Sequence, residues 1–165
     1  MRRIGLVFLG GGLGATCRAL LLTWLAGWDG FLPASVLLVN LLGAFVLGLV
    51  FALADEAGLL RAGTRLFLAV GVLGGFTTFS TFGWGAAVLL GAGQAPAAML
   101  YIVASVVGGV LAVVLGMAAA REAVGLLERA ALALLMRLNA GGRRRHRDIQ
   151  VDIGSIEAEN RQGPT

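Results

Sequence analysis

The sequence has no lysine and little charge of either sign. All of its 13 basic residues are arginines, and charged residues make up only 13% of the chain. Cysteine and histidine occur once each, as Cys17 and His146. These scarcities exclude an intrachain disulfide, a multi-cysteine metal site and a buried relay of histidines within this sequence.

Hydrophobic residues, by contrast, make up 58% of the 165 residues, and the mean hydropathy is +0.89. A soluble domain of this length could not bury so much apolar surface. The sequence therefore predicts an all-α integral membrane protein that lies in a lipid bilayer. Four segments are long enough to cross a bilayer as helices, namely Ile4–Ala26, Ala34–Ala54, Leu66–Leu90 and Ala97–Ala120.

The third of these segments contains a stretch, Gly71–Phe82, that is unsuited to a regular helix. Two glycines loosen its backbone and four hydroxyl side chains compete for backbone hydrogen bonds, at Gly74, Gly75, Thr77, Thr78, Ser80 and Thr81. The pattern predicts a broken third helix, and unwound backbone inside a membrane is a common way to build an ion site. Close helix packing through glycine and hydroxyl residues is the alternative interpretation.

Polar residues also interrupt the other three segments. Arg18 in the first segment either has a direct functional role, or extends to the membrane interface or pairs with backbone carbonyls. Asn40 in the second either joins helices or donates hydrogen bonds into a pore. Tyr101 and Ser105, four residues apart, share one face of the fourth helix, which is either a packing seam or a pore wall.

The arginines of the loops and of the tail all fall on one side of a four-span topology. The positive-inside rule then places both termini in the cytoplasm and the chain in the inner or plasma membrane. We expect a membrane domain over residues 1–120, an amphipathic helix at the membrane surface over 121–140, and a basic, then polar, flexible tail over 141–165. Basic residues beside a span set topology or contact anionic lipid, so we expect no nucleic-acid partner.

Three motifs follow one another along the chain: Gly11–Arg18, then Val39-Asn40 with Gly43, Phe45 and Gly48, and then Gly74–Phe82. In these motifs residues 4–120 resemble the Fluc/CrcB family of fluoride channels. The resemblance implies a fluoride-selective ion channel that gives passive fluoride export and fluoride resistance. It also implies an antiparallel, dual-topology dimer of four-span subunits, with a structural Na⁺ ion at the dimer interface.

The resemblance further implies roles for single residues. The backbone carbonyls of Gly74 and Thr77 would bind sodium, and Arg18 matches the charged residue of the family's first span. The fluoride pathway would be lined by Asn40, Phe79, Phe82, Ser80, Thr81, Tyr101 and Ser105. Val36 and Gly85 stand where the family usually has a threonine and a glutamate, so two polar groups of the pathway are missing.

The partner of the chain and two other functions stay open at this point. One-sided arginines favour insertion in one orientation, so the partner would be a second copy or an oppositely oriented paralogue. The alternative functions are a noncatalytic membrane subunit and a small four-span exporter. A proton-coupled exporter needs a carboxylate inside the membrane, whereas every Asp and Glu falls in a loop or the tail. No catalytic constellation is present, so we do not expect an enzyme.

Overall fold

The structure, a computed structural model, describes the backbone of residues 1–161 and the side chains of residues 1–136. All the regular elements in this range are helical. In chain order they are α1 (Arg2–Leu25), α2 (Ala34–Phe51), α3 (Ala62–Arg65), α4 (Gly74–Phe76), α5 (Phe79–Gly91) and α6 (Ala95–Arg161). A 3₁₀ turn, Ala26–Trp28, follows α1, and π-helical turns at Ala52–Glu56 and Leu66–Leu73 extend α2 and α3.

Four helical segments are long and apolar enough to span a membrane. Their bounds are Arg2–Trp28, Ala34–Glu56, Ala62–Gly91 and Ala95–Met136. This confirms the prediction of an all-helical, multi-pass membrane protein. The third segment begins four residues earlier than predicted, at Ala62, because a helical turn that includes Arg65 precedes its apolar run.

The helical backbone of the third segment stops at Phe76 and starts again at Phe79. Between them, Thr77 has φ −78° and ψ 156°, and Thr78 has φ −145° and ψ 114°, so both are extended. Neither conformation can continue a helix, whose ψ angle lies near −42°. The interruption therefore leaves several backbone groups without their helical partners.

Glycines allow α1 to approach the third segment at backbone distance. A Cβ on Gly10 would lie 2.7 Å from the carbonyl oxygen of Phe67, and one on Gly14 would overlap the carbonyl of Val72. A Cβ on Gly75 would likewise meet the backbone of Gly11. These contacts form a close-packing face on α1, because only glycine leaves room for the neighbouring backbone.

The charged loop between α2 and α3 is joined to two other parts of the membrane domain. Arg121 of α6 binds both carboxylate oxygens of Glu56, at 2.6 and 2.7 Å. Arg65 binds Asp55 at 2.9 Å. The three segments therefore bring their charged ends to the same end of the compact unit Met1–Ala123.

The last helix is longer than the predicted fourth span. Its backbone is helical from Ala95 to Arg161, through most of the segment for which the sequence predicts a flexible tail. Alanine, leucine, glutamate and arginine are abundant over residues 121–140, and all four are strong helix formers. A second compact unit begins at Val124. The side chains of residues 137–165 lie outside the described range, and the surface location of 121–140 and the flexibility of 141–165 stay predictions.

Replacing Gly14 by alanine should destabilise the domain, because the new methyl group would overlap the Val72 carbonyl. We expect a loss of about 1–3 kcal/mol, the usual cost of overpacking. Gly12→Ala is the matched control on the same helix, where nothing lies within 4 Å of the new Cβ. Thermal unfolding of the detergent-solubilised protein measures the difference, and equal melting temperatures for both variants would contradict the packing described here.

Candidate functional site

The interruption between α4 and α5 is held by the amide of Asn40 on α2. The backbone N–H of Thr78 donates to Asn40 Oδ1 at 2.8 Å, and Asn40 Nδ2 donates to the carbonyl oxygen of Thr78 at 3.1 Å. One side-chain amide thus satisfies both backbone groups of an extended residue. This is the same pairing that a neighbouring strand would offer, supplied here by one side chain.

The hydroxyl of Thr78 contacts three other polar groups at the start of α5. Its Oγ1 accepts from the backbone N–H of Thr81 at 3.2 Å and so caps the helix. The same oxygen lies 3.2 Å from Ser80 Oγ and 3.0 Å from Thr81 Oγ1. No acidic residue lies in the first turn of α5, so the helix end keeps its positive partial charge.

Arg18 reaches the interruption from α1. Its Nη1 atom donates to the carbonyl oxygen of Thr77 at 3.1 Å, and its side chain is half-buried. An arginine in a membrane segment needs such a partner, because desolvating a guanidinium is costly. The structure therefore places the charge of the first segment at the break in the third.

Two carbonyls at the break lack the donors that a continuous helix would give them. The carbonyl of Gly74 would normally accept from the N–H of Thr78, which instead donates to Asn40. The carbonyl of Thr77 would accept from the N–H of Thr81, which instead donates to the Thr78 hydroxyl. Arg18 occupies one of the two lone pairs of the Thr77 carbonyl oxygen, and Gly74 is exposed on the surface of the chain.

Aromatic rings run from the break towards α6. The ring centroids of Phe79 and Phe82 are 5.4 Å apart with an interplanar angle of 51°. Phe82 is in turn 5.4 Å from Tyr101, at 43°. The outer ring of this series, Phe79, is 82% exposed, whereas Tyr101 is fully buried. Tilted rings at this spacing are attractive, and they present partly positive edges as well as faces.

Two hydroxyls on α6 are buried without a partner among the described residues. They are Tyr101 Oη and Ser105 Oγ, which the sequence places on one face of the helix. A buried hydroxyl without a hydrogen bond costs about 1–3 kcal/mol, so its retention calls for an explanation. No hydrogen bond joins either hydroxyl to the Asn40 and Thr78 cluster within residues 1–136.

Of the two positions at which the sequence departs from the resemblance, Gly85 lies beside Tyr101. A Cβ on Gly85 would lie 3.4 Å from Cε1 of Tyr101 and 3.0 Å from Cγ of Pro33. Val36 is buried in the first turn of α2. Its neighbour Ser35 donates from its backbone N–H and its hydroxyl to Asp29, at 2.8 and 2.7 Å.

Sequence reasoning missed the importance of Thr78 and Asp29. Thr78 was one of several hydroxyls, but in the structure it is only 6% exposed and binds Asn40, Ser80 and Thr81. A threonine three residues before Thr81, at a helix start, is a recognisable capping signal. Asp29 lies outside every motif of the sequence, yet its carboxylate accepts from the backbone N–H of Ser35 in the first turn of α2, six residues further on.

These features define the class of the protein: a multi-pass helical membrane protein with a polar, non-helical break inside its third apolar segment. The profile of the family described as CrcB-like protein, Camphor Resistance (CrcB), matches residues 5–117. The chain therefore belongs to the CrcB-like family.

Curated relatives match this chain over most of their own length. The chain is 46% identical over 117 residues to a fluoride-specific ion channel FluC of Thermus thermophilus, covering 70% of this chain and 91% of that protein. It is 42% identical over 123 residues to fluoride-specific ion channel FluC 2 of Nocardia farcinica, covering 74% and 88%. A FluC channel of Chlorobium chlorochromatii is 41% identical over 120 residues, covering 73% and 93%.

Replacing Asn40 by alanine should destabilise the chain, because it leaves both the N–H and the carbonyl of Thr78 without partners. We expect a loss of about 1–3 kcal/mol for the orphaned groups. Thr16→Ala serves as the control, since its exposed hydroxyl binds only the Gly12 carbonyl of its own helix. Thermal unfolding in detergent compares the two, and a smaller loss for Asn40→Ala than for Thr16→Ala would contradict the role assigned to Asn40.

Proposed function

We propose that this chain is a fluoride-selective ion channel, not an enzyme, that gives passive fluoride export and fluoride resistance. The observation that carries the proposal is the break at Thr77 and Thr78, held open by Asn40 and Arg18 inside an apolar segment. Non-helical backbone at this depth is tolerated where it is buried in protein or lines a cavity. The relatives, which are named fluoride-specific ion channels, supply the identity of the ion.

The fluoride pathway follows the donors that the protein leaves available. Fluoride is small and strongly hydrated, so a pore must replace its water with hydrogen-bond donors. The hydroxyls of Tyr101 and Ser105 are buried and have no partner among the described residues. The amide of Asn40 has a second hydrogen beyond the one given to Thr78, and Ser80 and Thr81 add hydroxyls at the α5 end. The edges of Phe79 and Phe82 complete the lining.

The carbonyls of Gly74 and Thr77 are the proposed ligands of a structural sodium ion. Both have lost their helical donors, and carbonyl oxygens suit a hard cation. Arg18 leaves one lone pair of the Thr77 oxygen for this use. When bound, the ion would supply positive charge that offsets the cost of desolvating fluoride nearby.

A second chain is needed to cover the break. Gly74 and Phe79 are exposed on this chain, and a break in the helix cannot face hydrocarbon. We propose an antiparallel dimer in which the break of one subunit meets that of the other. The partner is a second copy or an oppositely oriented paralogue. Membership of the family supports this arrangement, and the break then becomes the broken third helix of the dimer.

The arginine distribution favours the paralogue. The arginines of the loops and tail fall on one side, which favours a single orientation in the cell membrane with both termini in the cytoplasm. Val36 and Gly85 also remove two polar groups that the family usually has, and Gly85 lies against Tyr101 of the pathway. A partner that supplies those groups would complete a fluoride pathway of the proposed dimer.

A noncatalytic membrane subunit is the second candidate, and the buried Val36 together with Gly85 favours it. In that case the Asn40 and Thr78 pairing would only join helices. The small exporter is a weaker candidate, because the carboxylates of the four segments lie only at their charged ends. Asp55 and Glu56 are paired with Arg65 and Arg121, and Glu122 and Glu128 lie beyond the predicted fourth span. The buried hydroxyls of Tyr101 and Ser105 favour the channel, since a purely packing seam would not leave them without partners.

Liposomes that contain the purified chain should release fluoride faster than chloride, as recorded with ion-selective electrodes. Phe82→Ile should reduce fluoride release about two- to tenfold, because it removes the ring edge between Phe79 and Tyr101 and a ring contact of this kind is worth about 0.5–1.5 kcal/mol. Asn40→Asp should also reduce release, since a carboxylate repels both the Thr78 carbonyl and the anion.

The matched control for these variants is Phe8→Ile, which changes an exposed phenyl ring on α1. It should leave fluoride release unchanged. Equal release of fluoride and chloride would contradict selectivity. If the folded chain releases no fluoride alone and none after co-reconstitution with a second family member, the noncatalytic subunit would be favoured.

Reporter fusions at the two ends of the chain test the orientation. We expect both reporters to signal from the cytoplasm, because the loop and tail arginines resist translocation. Replacing positive charge should change the orientation of insertion. The double variant Arg61→Glu and Arg121→Glu should insert as a mixture of both orientations. Equal signals from both sides of the membrane for the unmodified chain would show dual topology and remove the argument for an obligatory paralogue.

A further inference from the structure

A cavity of about 680 Å³ lies at the end of the membrane domain where α1 begins. Its rim carries the arginines at positions 2, 3 and 65, and its wall is apolar. The wall residues are Leu6, Leu47, Phe51, Leu66, Ala69 and Val70. A volume of this size is typical of sites for small organic molecules and far exceeds that of a single small ion.

The rim has an excess of positive charge. Neither Arg2 nor Arg3 forms an ion pair with any side chain in the described range 1–136. Arg65 is paired with Asp55, and its guanidinium lies 5.3 Å from the ring centroid of Phe51. Asp55 therefore balances one of the three arginines, and the other two remain available for an anion.

The start of α1 adds to this positive potential. The helix begins at Arg2 and has no acidic residue in its first turn. The first N–H groups of a helix have no intrahelical acceptors and carry partial positive charge. An anionic group in the cavity would meet both these N–H groups and the two arginine side chains.

The position of the cavity in the membrane limits the class of ligand that can fit it. The charged ends of three segments meet at this end of the domain, which therefore lies at a boundary of the bilayer. The apolar wall continues from that boundary along α1, α2 and the third segment. A ligand that fits has an anionic head at the boundary and a hydrocarbon chain that extends into the bilayer.

We propose that this cavity binds one anionic phospholipid. Its phosphate lies between Arg2, Arg3 and Arg65, and part of one acyl chain lies against Leu47, Phe51 and Val70. A zwitterionic lipid fits less well, because its cationic head group would approach unbalanced arginines. The proposal concerns a site separate from the Asn40 and Thr78 cluster and does not depend on fluoride conduction.

Native mass spectrometry of the full-length protein tests the proposal, with phosphatidylglycerol and phosphatidylcholine as probes. The unmodified chain should retain phosphatidylglycerol in preference to phosphatidylcholine. The double variant Arg2→Gln and Arg3→Gln should weaken that retention roughly 25-fold, about fivefold for each arginine near an anionic lipid. The matched control is the double variant Arg61→Gln and Arg129→Gln, which removes equal charge from exposed positions that do not line the cavity.

A second variant tests the apolar wall without any change in charge. Ala69→Phe should fill part of the cavity and reduce phosphatidylglycerol retention, while size-exclusion chromatography confirms a folded protein. Added inorganic phosphate should displace little lipid, because it cannot replace the acyl-chain contacts. Equal retention of the two lipids, equal losses in both double variants, or full displacement by phosphate would each overturn the proposal.

Discussion

Every feature of the site depends on one constraint, which is that backbone groups inside a membrane need hydrogen-bond partners. The break at Thr77 and Thr78 removes helical partners, and side chains from two other segments replace some of them. Asn40 satisfies both backbone groups of Thr78, and Arg18 binds the carbonyl of Thr77. The break is therefore a built feature, held from α1 and α2, rather than a locally frayed helix.

Spacing along α1 and α2 explains how those side chains arrive at the break. Gly10, Gly14 and Arg18 are four residues apart, so they share one face of α1. The two glycines bring the backbones together, and Arg18 then reaches the carbonyl one turn beyond. On α2, Gly43 lies three residues after Asn40, and a Cβ there would overlap the side chain of Thr77. In both helices, glycine supplies the close approach and a polar residue about one turn away supplies the hydrogen bond.

The sequence predicted the membrane class, the four segments and most residues around the break, because these depend on composition and on local pattern. Asn40 was left open between joining helices and facing a pore, and the structure shows that it joins α2 to the break. Thr78 and Asp29 were missed because their importance lies in partners 38 and 6 residues away. The pairing of Thr78 with Asn40 depends on how α2 packs against the break, which no local pattern encodes, whereas the contact of Asp29 with Ser35 depends on the path of the short loop before α2.

The exposed residues of the break also set a condition on assembly. Phe79 is 82% exposed and Gly74 is exposed, although both lie within an apolar segment. An exposed phenyl ring is compatible with lipid, but the carbonyl of Gly74, which has lost its helical donor, is not. A chain alone in a bilayer would leave that polar group in hydrocarbon at a cost of several kcal/mol. In the proposed dimer, a cation or a hydrogen-bond donor at the interface would satisfy this carbonyl and remove the cost, so the proposed partner and the proposed ion site both follow from the same break.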